Sequence, residues 1–182
     1  MPIESDAELV RLRTALRDLV AISTLQAAWA GRDPPDIAAG LADVLIGSLR
    51  LEFAFVRFCD STRNVAVEMT RGNAWKSFPE WLQRHLAVVP GSRKEIIPDV
   101  GGGPTPCCGV VVPIGVNAEG GLVAVASNRI DFPAEIDLLL LSVAANHAAS
   151  AFQSALAEQD LRRARSELET GAPCITRPGS TT

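Results

Sequence analysis

The chain has 182 residues, of which 47% are hydrophobic, so it can bury one domain-sized core but not two of ordinary size. Its net charge of −4, from 21 acidic and 17 basic residues, excludes a protein that depends on a basic surface to bind nucleic acid. No apolar run reaches the ~18 residues that a membrane helix needs, and the acidic start lacks the features of a signal peptide. We therefore expect a cytoplasmic globular protein with no membrane partner.

The first 50 residues predict two helices. In residues 6–29, leucines recur at 3-4-3 spacing, which is typical of a helix that pairs with another helix. A segment rich in Gly and Pro, residues 31–35, separates it from a second helix over residues 36–50. The leucines of the first helix are Leu9, Leu12, Leu16 and Leu19.

Alternation of apolar and polar residues then predicts a β-hairpin. Its strands cover residues 52–60 and 65–71, and Phe53, Phe55 and Arg57 share one side of the first strand. A short helix that begins near Pro79 follows, since proline suits a first helical turn.

Three further strands are predicted at residues 95–98, 108–116 and 121–127. Pro113 lies inside the second of them. Because proline has no N–H to donate to a neighbouring strand, it predicts an edge position or a bulge there.

The final helix is predicted over residues 133–169, a length of ~55 Å that exceeds a domain of this size. Its first half is rich in alanine and its second half in Arg and Glu, so the second half is expected to protrude or to pair. The element order predicts an α+β fold in which terminal helices pack on one face of an antiparallel sheet. The expected organisation is a helical extension (1–18), a domain (19–156), an exit helix (157–170) and a disordered tail (171–182).

Three motifs in sequence order carry a resemblance to a known family. They are the paired strands Val110–Ile114 and Gly121–Val125, the helix start Phe132–Glu135 with Leu138–Leu141, and the small-residue helix Ala144–Phe152. From about residue 19 to 156 the chain thus resembles a GAF domain, of the kind found at the N-terminus of bacterial sensor histidine kinases. The resemblance implies a six-stranded antiparallel sheet related to PAS domains, helices on one face, a small-ligand pocket on the other, and dimerisation through the helices. It does not identify the ligand.

Aromatic residues near one cationic group predict where the pocket lies, because together they suit a planar or anionic small molecule. For Trp81 the alternative is packing against the sheet, and for His85 it is an ordinary surface position. The predicted pocket residues are Arg71, Trp75, Phe78, Trp81, His85, Cys107 and Cys108.

The cysteines leave two interpretations open. Cys107 and Cys108 are adjacent, so they could close a strained disulfide or form a sulfenate, or they could be two small apolar residues at the start of a strand. GAF-fold free methionine-(R)-sulfoxide reductases use cysteines further upstream of this strand, where residues 99–106 contain none. The four cysteines and two histidines show no zinc spacing and no haem attachment motif, so we expect neither metal nor haem, and the cofactor stays unknown.

His147 lies on the apolar stripe of the final helix. A kinase phospho-acceptor histidine is followed by an acidic residue, whereas Ala148 follows here, and the chain has no Gly-rich ATP-binding boxes. We therefore predict a core or dimer-interface histidine and no kinase activity. The predicted dimer contacts are Leu9, Leu12, Leu16, Leu19, His147 and Phe152.

The leading hypothesis is a non-catalytic sensory domain of two-component signal transduction. It would bind an unidentified small molecule, form a homodimer through its terminal helices, and act on a histidine kinase or another signalling protein. One alternative is a thiol-based redox sensor or GAF-fold reductase that uses Cys107 or Cys108. The other is a purely structural dimerisation module.

Overall fold

The computed structural model describes residues 13, 17, 20, 24, 27–72, 95–97, 107–115 and 118–170. The main elements of these residues are two helices and five strands. In chain order they are α1 (Pro34–Leu49), β1 (Phe53–Asp60), β2 (Val65–Gly72), β3 (Glu95–Ile97), β4 (Cys108–Ile114), β5 (Gly121–Ser127) and α2 (Glu135–Thr170).

The five strands form one antiparallel sheet in the order β2-β1-β5-β4-β3. Two hairpins, β1–β2 and β4–β5, are joined at its centre, where Val56 of β1 lies opposite Val123 of β5. Every strand that the alternation predicts is present. The sixth strand that the GAF resemblance implies is not among the residues that the structure describes.

Pro113 lies in an interior strand, because β4 pairs with β5 on one side and β3 on the other. The described part of β3 pairs only with residues 109–111 of β4, so Pro113 lies beyond it. The prediction of an edge strand is therefore wrong for the part of β4 that pairs on both sides, and Pro113 itself lies outside the described pairing with β3.

Both helices pack on one side of the sheet, which we call the helix face. Small side chains on α2 and β-branched side chains on the strands let the helices approach closely, so this side forms the main hydrophobic core. The most deeply buried strand residues of the helix face, at most 2% exposed, are Ala54, Val56, Phe58, Val110, Val112, Ile114, Val123 and Val125.

Helix α1 begins earlier than the sequence predicted. Pro34 and Pro35 occupy its first turn instead of ending the preceding helix, since proline has no N–H and the first turn requires none. At its other end, Arg50 adopts a left-handed conformation with φ of 51°, and Leu51 donates its N–H to the carbonyl of Ile46 at 3.2 Å.

Arg129 connects the end of α1 to the start of α2. Its Nη1 donates to the Leu49 carbonyl at 3.2 Å, and its guanidinium binds both carboxylate oxygens of the buried Asp137, at 3.3 and 3.1 Å. Asp137 also accepts the Ala134 N–H at 2.9 Å. Hydrogen bonds to the carboxylates of Asp131 and Asp137 raise the pKa of Arg129, and the bond to Asp131 contributes more than the bond to Asp137. A single side chain thus fixes the entry of α2 against the exit of α1.

Parts of the predicted organisation lie outside the described residues. They are the leucines of the first helix, the short helix near Pro79 and the tail 171–182. Scattered positions within 13–27 have helical backbone and exposed side chains, but the extent of that helix and the domain boundaries stay predictions. Helix α2 ends at Thr170 and is ~54 Å long. Neither of the helices with described bounds combines the length and apolar character needed to cross a membrane.

Candidate functional site

The second side of the sheet, which we call the opposite face, is also buried and apolar. Along each strand, alternate residues point to it. Although both described helices lie on the helix face, the apolar residues of β1, β4 and β5 on this side include six that are at most 4% exposed: Phe53, Phe55, Val111, Leu122, Ala124 and Ala126. This is the side on which the GAF resemblance implies a ligand pocket.

Arg57 is the charged side chain that β1 places on the opposite face. It lies directly across from Leu122 of β5 and from Glu68 of β2. Its Nε is buried and has no hydrogen-bond partner among the described residues, and Glu68 Oε1 is 3.5 Å away. Alternation along β1 puts Arg57 on the same side as Phe53 and Phe55, but Arg57 is not among the pocket residues that the sequence predicts.

Arg71, a predicted pocket residue, lies on the helix face. It is opposite Ala54, and its Nε donates to Oδ1 of Asp43 in α1 at 2.9 Å. The half-buried residues of β2 alternate with exposed ones and include Val65, Val67 and Met69 on the side of Arg71. That alternation in the sequence indicates that Arg71 belongs to the helix face. The prediction of Arg71 as a pocket residue depends instead on its closeness to Trp75 in the chain.

The other predicted pocket residues fall into two groups. Cys107 and Cys108 are described, and we treat them next. Four others lie outside the described residues: Trp75, Phe78, Trp81 and His85. The structure therefore does not bring Arg71 together with the cysteines, and the predicted pocket as a whole stays a prediction.

Cys108 is half-buried, lies opposite Ser127 and packs against the core of the helix face. Burial raises the pKa of its thiol. Cys107 precedes β4 and is buried, and neither it nor Cys59 or Cys108 forms a disulfide. A raised pKa lowers the thiolate fraction, so Cys108 lacks the activation of a catalytic cysteine. No group of three metal-ligating side chains occurs in the part of the chain that the structure describes.

A cleft of about 470 Å³ opens on the helix face, where two hairpin turns meet α2. The sequence did not predict it, because its walls come from three segments far apart in the chain. Buried side chains of Ile114 and Phe152 line it together with polar groups of α2. Its principal polar residues are Asp60, Thr62, Arg63, Glu119, Asn146, Ser150 and Gln153.

The β1–β2 turn at this cleft is held by Asp60. Its Oδ1 accepts the Thr62 hydroxyl at 2.5 Å and the N–H groups of Thr62 and Arg63 at 2.9 and 3.0 Å. Its Oδ2 accepts Nη1 of Arg63 at 2.5 Å. These hydrogen bonds lower the pKa of Asp60 to about 2, and the bond from the Thr62 hydroxyl contributes most. Desolvation of the carboxylate acts in the opposite direction. The carboxylate is therefore ionised throughout the physiological range.

Arg63 carries this network onto α2. Its Nε donates to Oδ2 of Asp160 at 2.7 Å, and the two acidic partners raise the pKa of Arg63. Leu156 is the last buried residue of α2, so Asp160 lies one turn beyond the core. Gln159 adds a 3.3 Å bond from Nε2 to Oδ1 of Asp33. The hairpin tip and the start of α1 thus hold α2 at the point where it leaves the domain.

An exposed apolar strip runs along α2, on the side away from the sheet. We call it the outer seam. Leu161 and Leu168 are 72% and 77% exposed and lie one heptad apart, although the surrounding residues are charged. Nearer the start of the helix, Ile136, Leu139, Val143 and His147 follow at spacings of three or four, although Val143 and His147 are half-buried. Ser150 and Ser154 separate them from Ala157, Leu161 and Leu168.

The structure separates the two predicted dimer contacts that it describes. His147 is half-exposed in the outer seam, which leaves it accessible to a partner. Phe152 is 1% exposed and stacks on Phe58 of β1. It contacts the domain's own core instead of a second helix, because it falls on the alanine-rich side of α2.

No protein-family model and no curated protein matches this chain. Among solved structures, one similar protein is the GAF domain of a protein described as a sensor histidine kinase from Pseudomonas syringae pv. tomato. The TM-score is 0.54 at 13% identity, over 88% of this chain and 97% of that one. Another is the free methionine-R-sulfoxide reductase from Neisseria meningitidis in complex with its substrate. It has a TM-score of 0.55 at 15% identity, over 79% of this chain and 93% of that one.

These similarities confirm the GAF-like α+β fold that the sequence predicted, whereas the sixth strand and the N-terminal helix stay predictions. At 13% and 15% identity they establish the fold and not an activity, since one fold hosts many functions.

Proposed function

We propose that the chain is a non-catalytic sensory domain, as in two-component signal transduction. It binds a small molecule on the opposite face of its sheet and passes the binding event to the exit helix. The observation that carries the proposal is the ion pair between Arg63 and Asp160. It joins the β1–β2 hairpin, which contributes to the opposite face, to the point where α2 leaves the core.

The hairpin gives a short physical route between the two sides of the domain. Arg57 on the opposite face and Arg63 at the tip are six residues apart along it. A ligand that moves β1 would move the tip, and the tip holds Asp160 of the exit helix. Binding then favours one of two positions of the exit helix, which is a population shift between packings.

The output of this shift requires a partner for the outer seam, and we propose a second copy of the chain. In the exit helix the seam presents Ala157, Leu161 and Leu168 among charged residues, which is the pattern of a helix that pairs in parallel or antiparallel fashion. A homodimer would bury Leu161 and Leu168, which are otherwise exposed. The output protein, a histidine kinase or another signalling protein, would read the relative position of the two exit helices.

Light scattering of the full chain between about 5 and 500 µM tests the pairing. We expect a dimer that becomes a monomer in the double variant Leu161→Lys and Leu168→Lys. Glu167→Lys is the matched control, because Glu167 is exposed on the same helix outside the seam. A monomeric native chain at the highest concentration would refute the pairing.

Sensing is tested separately by a thermal-shift screen of carboxylates, nucleotides and aromatic metabolites. Compounds that raise Tm are then examined by hydrogen exchange of residues 157–170. A sensory domain should show altered exchange in the exit helix, and Asp160→Asn should weaken that change while leaving binding intact. A screen without any stabilising compound would count against the function.

The thiol-based alternative is favoured by the similarity to the Neisseria meningitidis reductase. The raised pKa of Cys108 counts against it. Turnover of free methionine-R-sulfoxide with a coupled reductant, and the response of Tm to peroxide, should be compared between the native chain and the Cys107→Ser, Cys108→Ser double variant. Equal results exclude the alternative. If neither ligand nor redox response is found and the chain still dimerises, the structural dimerisation module is the remaining function.

A further inference from the structure

We infer that Asp160 of one copy of the chain binds Arg165 of a second copy, and that this contact aligns the two exit helices in parallel and in register. The partner surface is therefore the same stretch of helix in another molecule of this chain. The inference rests on the proposed pairing of the exit helices and deepens it, because it names the residues that set orientation and register.

The exposed apolar residues of the exit helix follow a heptad pattern. Ala157, Leu161, Ala164 and Leu168 recur at spacings of four, three and four, and all of them are exposed. Two helices with such a pattern pack these residues against each other along one seam. Leucine and alanine alternate along it, so the small alanines let the two helices approach closely.

Asp160 and Arg165 lie on opposite flanks of this seam. Asp160 precedes Leu161 and Arg165 follows Ala164, so they occupy the heptad positions named g and e. In a parallel pair, position g of one helix faces position e of the following heptad on the other helix. Asp160 of each copy then faces Arg165 of the other copy, and the twofold symmetry of the pair makes this opposite-charge contact twice.

The charges of the exit helix oppose an antiparallel pair. In that orientation, g positions face g positions and e positions face e positions. With the two seams fully overlapped, Glu158 faces Arg165, but Asp160 faces Glu167, and two carboxylates that face each other repel. A shift by one heptad brings either Glu158 or Arg165 against its own counterpart. Each of these antiparallel registers thus contains like-charge contacts, which the parallel register avoids.

The two side chains have groups available for this contact. Oδ2 of Asp160 accepts Nε of Arg63 at 2.7 Å, whereas its Oδ1 has no hydrogen-bond partner among the described residues. Arg165 is 82% exposed and donates its Nε to Glu169 at 2.8 Å. Because a guanidinium carries five N–H donors, the two terminal nitrogens of Arg165 can still bind a carboxylate. The contact breaks no existing bond, and Asp160 bridges Arg63 of its own hairpin to the partner's helix.

Analytical ultracentrifugation of the full chain tests the charges that align the helices. Asp160→Arg places two arginines opposite each other and Arg165→Asp places two aspartates opposite each other, so each variant alone should pair about tenfold more weakly than the native chain. An equimolar mixture of the two variants should recover native pairing, because opposite charges then face each other again. Arg163→Asp is the matched control, since Arg163 is exposed on the same helix outside the seam and its flanks.

Disulfide formation tests the register independently. Ala164→Cys, in a chain that also carries Cys174→Ser, should form a disulfide between copies on mild oxidation, because a residue of the seam faces its own counterpart in a parallel pair. In the fully overlapped antiparallel pair, Ala164 faces Leu161 instead. The chain that carries only Cys174→Ser is the control and should form far less disulfide.

The inference is overturned if Asp160→Arg pairs as tightly as the native chain or more tightly, since that change would strengthen an antiparallel pair. It is also overturned if the mixture pairs no better than either variant alone, or if Ala164→Cys forms no disulfide. In these cases a native chain that still dimerises keeps the proposed pairing, and only the alignment by Asp160 and Arg165 is wrong. A native chain that stays monomeric refutes both, so the two failures are distinguishable.

Discussion

Phe58 of β1 and Phe152 of α2 stack with their ring centroids 4.9 Å apart and their planes 20° from parallel. Both rings are at most 1% exposed, and Phe152 also lines the cleft beside the hairpin turns. The stack lies one helical turn before the last buried residue of α2. It therefore fixes the helix against the sheet just before the helix leaves the domain.

We expect Phe152→Ala to lower the free energy of unfolding by about 3–5 kcal/mol, because a buried aromatic ring is lost and a cavity remains. Urea denaturation followed by circular dichroism measures it. Leu161→Ala, at a position that is 72% exposed, is the control and should change the stability by less than about 0.5 kcal/mol in the monomer. A loss below about 1 kcal/mol for Phe152→Ala would contradict the core position of this ring.

Replacement of Asp137 should also destabilise the fold. Asp137 is 4% exposed and accepts bonds from Arg129 and from the Ala134 N–H. Because Asp137→Ala leaves those donors unpaired, we expect a loss of about 1.5–3 kcal/mol, the range for hydrogen bonds to charged groups.

The control for that change is Asp131→Ala. Asp131 also binds Arg129, at 3.1 Å, but its side chain is 69% exposed, so the loss should stay below about 1 kcal/mol. Urea denaturation of both variants compares them. Equal losses would show that burial of Asp137 does not strengthen its bonds.

Lowering the pH should reveal how much Asp60 contributes to the stability of the folded chain. Its pKa is about 2 in the folded chain, against about 3.9 in an unfolded one, so its ionised form is favoured by folding. The stabilisation is present in full above pH 4 and is lost as pH falls from 4 to 2. Tm measured between pH 2 and 6 should fall more steeply for the native chain than for Asp60→Asn. A parallel decline in both would contradict the lowered pKa.

The Arg63–Asp160 pair should matter more for the motion of the exit helix than for overall stability. Both side chains are partly exposed, at 34% and 50%, and exposed ion pairs contribute little to folding. We expect Asp160→Asn to leave the urea midpoint nearly unchanged and to accelerate hydrogen exchange within residues 157–170. Arg162→Gln is the control, since Arg162 pairs with Glu158 of the same helix. Equal exchange in the native chain, Asp160→Asn and Arg162→Gln would show that the Arg63–Asp160 pair does not restrain the exit helix.

Gly121 is required at the start of β5. Its φ is +113°, and a Cβ there would lie 1.9 Å from the carbonyl oxygen of Arg57 on the neighbouring strand. Gly121→Ala should therefore separate β1 from β5 and abolish or severely reduce cooperative unfolding. Gly47→Ala is the matched control: nothing lies within 4 Å of its Cβ, and it should stabilise α1 by about 0.5–1 kcal/mol. Thermal denaturation distinguishes the two.

The candidate site was predictable only in part, as two arginines show. Arg57 and Arg71 lie on the two strands of one hairpin, and the sequence places both near aromatic residues. Their sides follow from alternation along each strand together with the pairing register, which puts Arg57 on the opposite face and Arg71 on the helix face. The closeness of Arg71 to Trp75 in the chain predicts a pocket position, but nearness in sequence does not determine the side of a sheet.

The sequence by itself determined the strands and the long final helix, because hydrophobic periodicity and turn residues act over a few neighbouring positions. The GAF-like fold followed from the resemblance of three motifs to that family. Only the tertiary structure decided which side chains meet. It placed Phe152 on Phe58 and closed a cleft between two turns and a helix. It also joined Arg63 to Asp160 across 97 residues of chain. Such contacts depend on how whole elements pack and in which register strands pair, and no local pattern in the sequence encodes either.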